Sequence, residues 1–501
     1  MAVWNGLTGQ DEGLEYRRRF RGLIGVHSKV PIRDRAILSL IYTPGVAEAC
    51  LAISQDPLAS YDLTCRGNTV ALLTDGSDLF GREGGPPESA IPVAEAKSVI
   101  FKTFAGIDAF PICLATRDPQ EIVQVGTAIT PTFGAICLDD ISTPRAFTVA
   151  DHLEKAADIP IFSNQHHGTA ILVLGALINA LKIVKKEMSE VSVVISGAGI
   201  AGIGVARLLV RAGVKNLVVC DRAGAIYKYR PERMNWAKAY VAKETNPEGR
   251  RGSLAAMLKG ADVFIGLSTG NIVTDDMIRS MAHDPIVFAL AIPEPEIDPA
   301  AARAGGARVV ATGRSDYANQ MDVSLVFPGF FRGLLDARAR NIRLRMLIYA
   351  AQALADMVKP DELHPDHIVP SIFDFRVAPA IAAAVVRAAL GPGDLSPSRG
   401  GAHPTLCLRG PLAAAGAHPA RRAEDVPRRS DRASTTAWRS AGDPLQAADP
   451  RPAHPELDVR PAGRAPARPR HPRRSVASHG ADEQGQSGRD RDRWLVRAWI
   501  G

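Results

Sequence analysis

From about residue 168 the apolar positions fall into a regular alternation of short and long segments. TAILVLGALINALKIVKK (169–186) is apolar on nearly every face and predicts a long, largely buried helix. VSVVIS, beginning at Val191, predicts a strand; a Gly-rich turn, a helix and a second strand ending in Asp221 follow. ADVFIGLST (261–269) and PIVFALAIP (285–293) add further units, and MLIYAAQALADMV and APAIAAAVVRAAL predict closing helices. Strands alternating with helices imply a parallel sheet covered on both faces. Earlier in the chain, TVALLTDG (69–76) and GAICLDD (134–140) predict buried strands that end in carboxylates. AIPVAEAKSVIFKTFAGI (90–107), between them, has helical apolar spacing and carries Lys97. Acids at the carboxyl ends of buried strands often line a ligand crevice in α/β folds.

After Leu390 the pattern stops. The last 111 residues lack Lys, Met, Tyr, Phe and Asn and repeat Arg, Pro, Ala and Asp. With few bulky aliphatics to bury, this tail (391–501) is expected to be disordered. It holds about 19 Arg against about 12 acids, which carries the whole formal net charge of +7. The basic balance therefore describes the tail, and its lack of Lys and interleaved aromatics argues against a nucleic-acid partner. The abrupt change suggests a shifted reading frame in a GC-rich gene, a hypothesis that fails if no other frame continues a helical C-terminus.

At 501 residues, 46% hydrophobic with mean hydropathy −0.02, the chain has the make-up of a soluble protein of two or three domains. No bilayer-spanning run and no secretory signal are expected, and the six scattered Cys contain no C-x-x-C. A cytoplasmic location follows as an expectation.

GAGIAGIG supplies Gly197, Gly199 and Gly202 as G-x-G-x-x-G after a strand and at a helix start, with an acid, Asp221, at the next strand end. Gly197 would permit the tight turn, Gly199 the approach of a pyrophosphate, and Gly202 close helix–strand packing. Asp221 would accept hydrogen bonds from the adenosine ribose and repel a 2′-phosphate, favouring NAD; Arg222 beside it would partly reverse that preference.

YTPGVAEAC (42–50), RGNTVALLTDGS (66–77), IPVAEAKSVIFKTFAGIDAFPI (91–112), ICLDDISTPRAF (136–147), FSNQHHGTAILVLGALINALK (162–182) and GRSDYANQ (313–320) occur in that order. Together with the glycine motif they resemble the shorter bacterial malic enzymes, from about residue 25 to 390. The resemblance implies an α/β chain with an N-terminal substrate and metal domain (1–164) and a Rossmann-type NAD-binding domain with closing helices (165–390). It also implies oxidative decarboxylation of L-malate to pyruvate and CO2 with NAD or NADP reduction, Mn²⁺ or Mg²⁺, and a homodimer or higher homo-oligomer.

By the same resemblance Tyr42 is the acid and Lys97 the base, Ala201 and Asn319 join the cofactor residues, and Asp139, Asp140 and Gln165 stand at the metal positions. Several of these positions depart from the family pattern. The Glu-Asp pair is Asp139–Asp140, the later acidic ligand is Gln165, and its neighbour is Asn164. His166 offers a nitrogen, although a hydrogen-bonded helix-start histidine is the commoner case. On the substrate side Ile292 and Val323 replace two Asn, Asp322 would repel malate if it faced the ligand, and Arg82 enters in place of a G-L-G turn. A hard divalent cation prefers charged oxygens, so these changes are expected to weaken the malate reaction. Two alternatives remain open: a catalytically silent NAD-binding homologue and a dehydrogenase of another hydroxy acid.

Overall fold

The computed structural model describes residues 10–79 and 82–390, so the expected tail lies outside the described residues. Two parallel sheets organise the chain. The first holds β1 (Thr69–Thr74), β4 (Asp108–Cys113), β5 (Ala135–Leu138) and β6 (Ile161–Ser163) in the order β4-β1-β5-β6, while β2 (Asp78–Leu79) and β3 (Arg82–Glu83) form a small hairpin after β1. All six residues of β1 are buried, as a strand paired on both sides and covered on both faces requires. The helix Ile91–Ala105, which carries Lys97, ends at Gly106 in the left-handed region and feeds β4.

The second sheet runs β12 (Val309–Thr312), β11 (Ile286–Ala289), β10 (Val263–Gly266), β7 (Ser192–Ser196), β8 (Asn216–Asp221), β9 (Gly224–Ala225). All pairings are parallel except the last, where a two-residue β9 turns back antiparallel on β8. Chain order reverses between β7 and β10, so this doubly wound sheet opens its crevice at the carboxyl end of β7.

The helix Thr169–Val184 joins the two sheets and is buried along most of its length. Its Asn179 amide donates to the carbonyls of Ala355 (2.9 Å) and Ile368 (3.0 Å), tying the closing segment into the interior. The closing helices return to the first sheet: Phe327 and Phe331 of Phe327–Asp336 pack on Phe101 with ring centroids 4.7 and 5.1 Å away.

The expectation that no apolar run is long enough for a bilayer needs correction. Asn164–Val184 and Arg35–Gln55, each 21 residues with hydropathy 1.7, meet that length and composition. The first is the buried core helix. The second is divided into Arg35–Ile41 and Val46–Gln55, neither of which buries a residue.

Candidate functional site

The glycine motif takes the conformation its spacing implies. Gly197 has φ +116°, and a Cβ there would collide with the Leu267 carbonyl. A Cβ on Gly202 would overlap the Gly197 carbonyl, so helix Ile200–Arg211 can lie this close to β7 only without a side chain. Above Gly199, by contrast, space is open, and the helix N-terminus faces it, which suits a pyrophosphate. Ala201 lies in the first turn of that helix.

Asp221 differs from its expected role. Arg230 grips both its carboxylate oxygens (2.9 and 2.5 Å), Lys238 adds a bond of 2.7 Å, and the Ala223 amide another of 2.9 Å. Burial would raise its pKa, but these donors outweigh that and push it down to about 2. Arg230 and Lys238 thus offset the charge of Asp221, while its neighbour Arg222 is exposed. Asn319 is corrected as well. Its amide donates to the carbonyls of Val310 (2.9 Å) and Pro365 (2.8 Å) and its oxygen accepts from the Ile368 amide (2.9 Å). The side chain is consumed in holding the closing segment and is not presented to a cofactor.

The chemical centre forms where β1, β5 and β6 end side by side. Asp140 follows Asp139 with φ +50°, a left-handed turn that Asp tolerates better than most residues. In an extended chain consecutive side chains point to opposite sides; the turn instead brings both carboxylates to Lys97. The Lys97 ammonium hydrogen-bonds Asp139 and lies 3.5 Å from Asp140 Oδ2. Burial alone would lower the Lys97 pKa, yet the two carboxylates raise it above that of an ordinary lysine, so the group is held as a cation. Asp140 is pushed up to about 7 by burial and by the charge of Asp139. Asn164 donates its amide to Asp139 Oδ2 at 3.3 Å, leaving its buried oxygen without a hydrogen-bond partner.

Asn164–Gly168 winds as a π-helical turn before the long helix, an irregularity that recurs at functional sites. His167 accepts from the Ser163 amide (3.2 Å), and burial together with nearby Arg207 pushes its pKa down to about 3. The buried His166 packs against Gly204 so closely that a Cβ there would strike it. His166 is thus the point where the first sheet's lip meets the dinucleotide helix.

Comparison with known proteins decides the family. The family model for the malic enzyme N-terminal domain matches residues 24–154, and that for the malic enzyme NAD-binding domain matches residues 166–390. The chain belongs to the malic enzyme family. It is similar to the bifunctional malic/malolactic enzyme of Bacillus subtilis, 48% identical over 384 residues that cover 77% of this chain and 94% of the relative. It is also 40% identical over 389 residues to the NADP-dependent malic enzyme of Salmonella typhimurium, covering 74% of this chain and 51% of the longer relative. The NAD-dependent malic enzyme of Thermotoga maritima superposes with TM-score 0.72 at 42% identity, covering 74% of this chain and 98% of that one.

Set against the malic enzyme pattern, several residues stand apart from the centre. Tyr42, at the end of helix Arg35–Ile41, is 67% exposed, and no hydrogen bond links its side chain to Lys97. Ile292 is 52% exposed just after β11, and Val323 is partly buried against the core. The Asp322 carboxylate caps the next turn, its Oδ1 accepting from the Ser324 amide (2.8 Å) and hydroxyl (2.7 Å). Arg82 sits in β3, and its side chain lies outside the described residues.

The donor set does not fit a resident divalent cation as it stands. Two carboxylates are occupied by an ammonium, and Asn164 presents its NH2 rather than its oxygen to Asp139. Gln165 carries no charge, and among the described residues no group of three or more His, Cys, Asp or Glu could hold a metal.

Three anchoring residues have no signal in the sequence. Arg230 and Lys238 lie 9 and 17 residues beyond Asp221 and reach it only through the fold of the intervening loop. Glu296 is 0% exposed and accepts from the amides of Ser268 (2.8 Å) and Ala291 (3.0 Å), stapling together the loops after β10 and β11. No local signal separates these residues from surface charges.

Proposed function

We propose that the chain oxidises L-malate, or a closely similar 2-hydroxy dicarboxylate, with reduction of NAD or NADP and release of CO2, at a rate lowered by its substituted centre. One observation carries this reading: Lys97, held against Asp139 and Asp140, lies at the lip whose turn packs through His166 on the dinucleotide helix at Gly204. A hydroxy acid between them would have its C2 hydride close to the nicotinamide and its C2 oxygen close to a cation. Lys97 in this state donates a hydrogen bond to that oxygen; to accept the hydroxyl proton it must first lose its carboxylate partners. The neutral, apolar Ile292 and Val323 remove two donors that would hold a second carboxylate, which supports a high KM for malate.

The Lys238 ammonium beside Asp221 supports use of NADP as well as NAD, because a 2′-phosphate would meet a cation there rather than a lone acid. The unburied apolar segment that includes Tyr42 supports a homo-oligomer in which a second copy covers Leu38, Leu40, Ile41 and Leu51. In that assembly Tyr42 is brought to a centre where it can protonate C3.

The test is pyridine-nucleotide reduction by the full chain with L-malate, followed at 340 nm for NAD and for NADP. Malate-dependent reduction with pyruvate as product is expected. A folded chain that binds NADH but reduces neither nucleotide would overturn the reading in favour of a silent homologue, which the substitutions at Gln165, Ile292 and Val323 favour as the second reading.

A further inference from the structure

We propose that the Lys97 ammonium is itself the resident cation of this centre, and that the chain takes up its dinucleotide and hydroxy acid without a divalent metal. The inference rests on the reading of the site given above. Charge is the first argument. The centre holds the two side-by-side carboxyl groups of Asp139 and Asp140, and Lys97 is in contact with the first and 3.5 Å from the second. A third carboxylate would bring a negative charge that the single ammonium leaves unmatched, and so would draw a divalent ion. With amides, Asn164 and Gln165, at the two neighbouring positions, the ammonium faces the Asp139–Asp140 pair with no third carboxylate added there.

Geometry is the second argument. A hard cation needs oxygens aimed at it from several sides. Asn164 aims a donor at Asp139 Oδ2 (3.3 Å), while its oxygen lies on the Gly168 side, 2.8 Å from where a Cβ on that glycine would sit. A divalent ion would therefore have to expel a partly buried ammonium and reverse a buried amide before it found its ligands. The ammonium has three donors, and those not spent on Asp139 and Asp140 are free for a substrate oxygen.

The probe is Mn²⁺ alone, with uptake read from the loss of the free-ion EPR signal on addition of the full chain. The wild-type chain is expected to leave that signal unchanged, and the double variant Asn164→Asp/Gln165→Asp to bind one ion at least about tenfold more tightly. Stoichiometric uptake by the wild-type chain would overturn the proposal. So would a double variant that is folded by circular dichroism and still takes up no Mn²⁺, because the exclusion would then not lie with these amides. A second measurement tests the role of the ammonium directly. In Lys97→Met, Mn²⁺ should replace the missing charge and raise the thermal midpoint, with no such rise in the wild-type chain; equal responses would overturn the proposal. Mn²⁺ uptake is read without turnover, so its outcome is independent of whether malate is oxidised.

Discussion

The two sheets of this chain build their sites from different parts. In the second sheet every part of the dinucleotide turn is held by backbone geometry: Gly197 and Gly202 leave no room for a side chain, and Gly199 leaves room for a ligand. In the first sheet the ends of β1, β5 and β6 converge, and the groups presented there are side chains, with amides at Asn164 and Gln165 beside the pair Asp139–Asp140. A turn made of glycines loses its shape when a side chain is forced on Gly197 or Gly202. A centre made of side chains can exchange acid for amide with little change in the backbone, and its chemistry alters first.

The largest expected effect lies in the half built of side chains. Lys97→Met should lower malate-dependent nucleotide reduction by about 100-fold or more, while NADH binding, measured by fluorescence, stays near the wild-type value. Loss of both together would mean that the two halves are not separable. In the half built of glycines, Gly202→Val forces a side chain against the Gly197 carbonyl. NADH affinity should fall by about 10- to 100-fold, following the 1–3 kcal/mol that overpacking costs.

Lys238→Gln sharpens the comparison within the dinucleotide site. The KM for NADP should rise about tenfold as one charged hydrogen bond is removed, with little change for NAD. An equal rise for both would show that Lys238 serves the fold of the loop rather than the phosphate. The smallest effect is a pH dependence. Asp221, with its folded pKa near 2 and an ordinary carboxylate pKa near 4 when unfolded, adds stability above about pH 4 that is lost as pH falls towards 2. Urea unfolding across that window should show a loss of about 1–2 kcal/mol that Asp221→Asn lacks.

Much of this architecture was legible in the chain. The alternation from 168 onward and the helix carrying Lys97 follow from apolar spacing, because a strand or helix must bury one face whatever its neighbours are. The roles of Gly197, Gly199 and Gly202 were legible for a similar reason, since the turn depends on local backbone freedom. Asp221 was legible as a strand-end acid but not as a neutralised one, because Arg230 and Lys238 arrive by a loop whose path no local pattern encodes. Asn319 looked like a ligand-facing amide and proves to bridge Val310, Pro365 and Ile368. Asp322 looked like a repelling charge and proves to be a cap.

The sequence by itself determined the elements, their order, the glycine turn and which side chains stand at the chemical positions, because all of these depend on neighbours within a few residues. Only the tertiary structure decided what those side chains face. The left-handed turn at Asp140 directs two consecutive carboxylates to one ammonium, Asn164 offers them a donor, and Tyr42 lies on an uncovered helix pair. Charge state and hydrogen-bond partner are properties of the whole surrounding shell, assembled from residues distant in the chain.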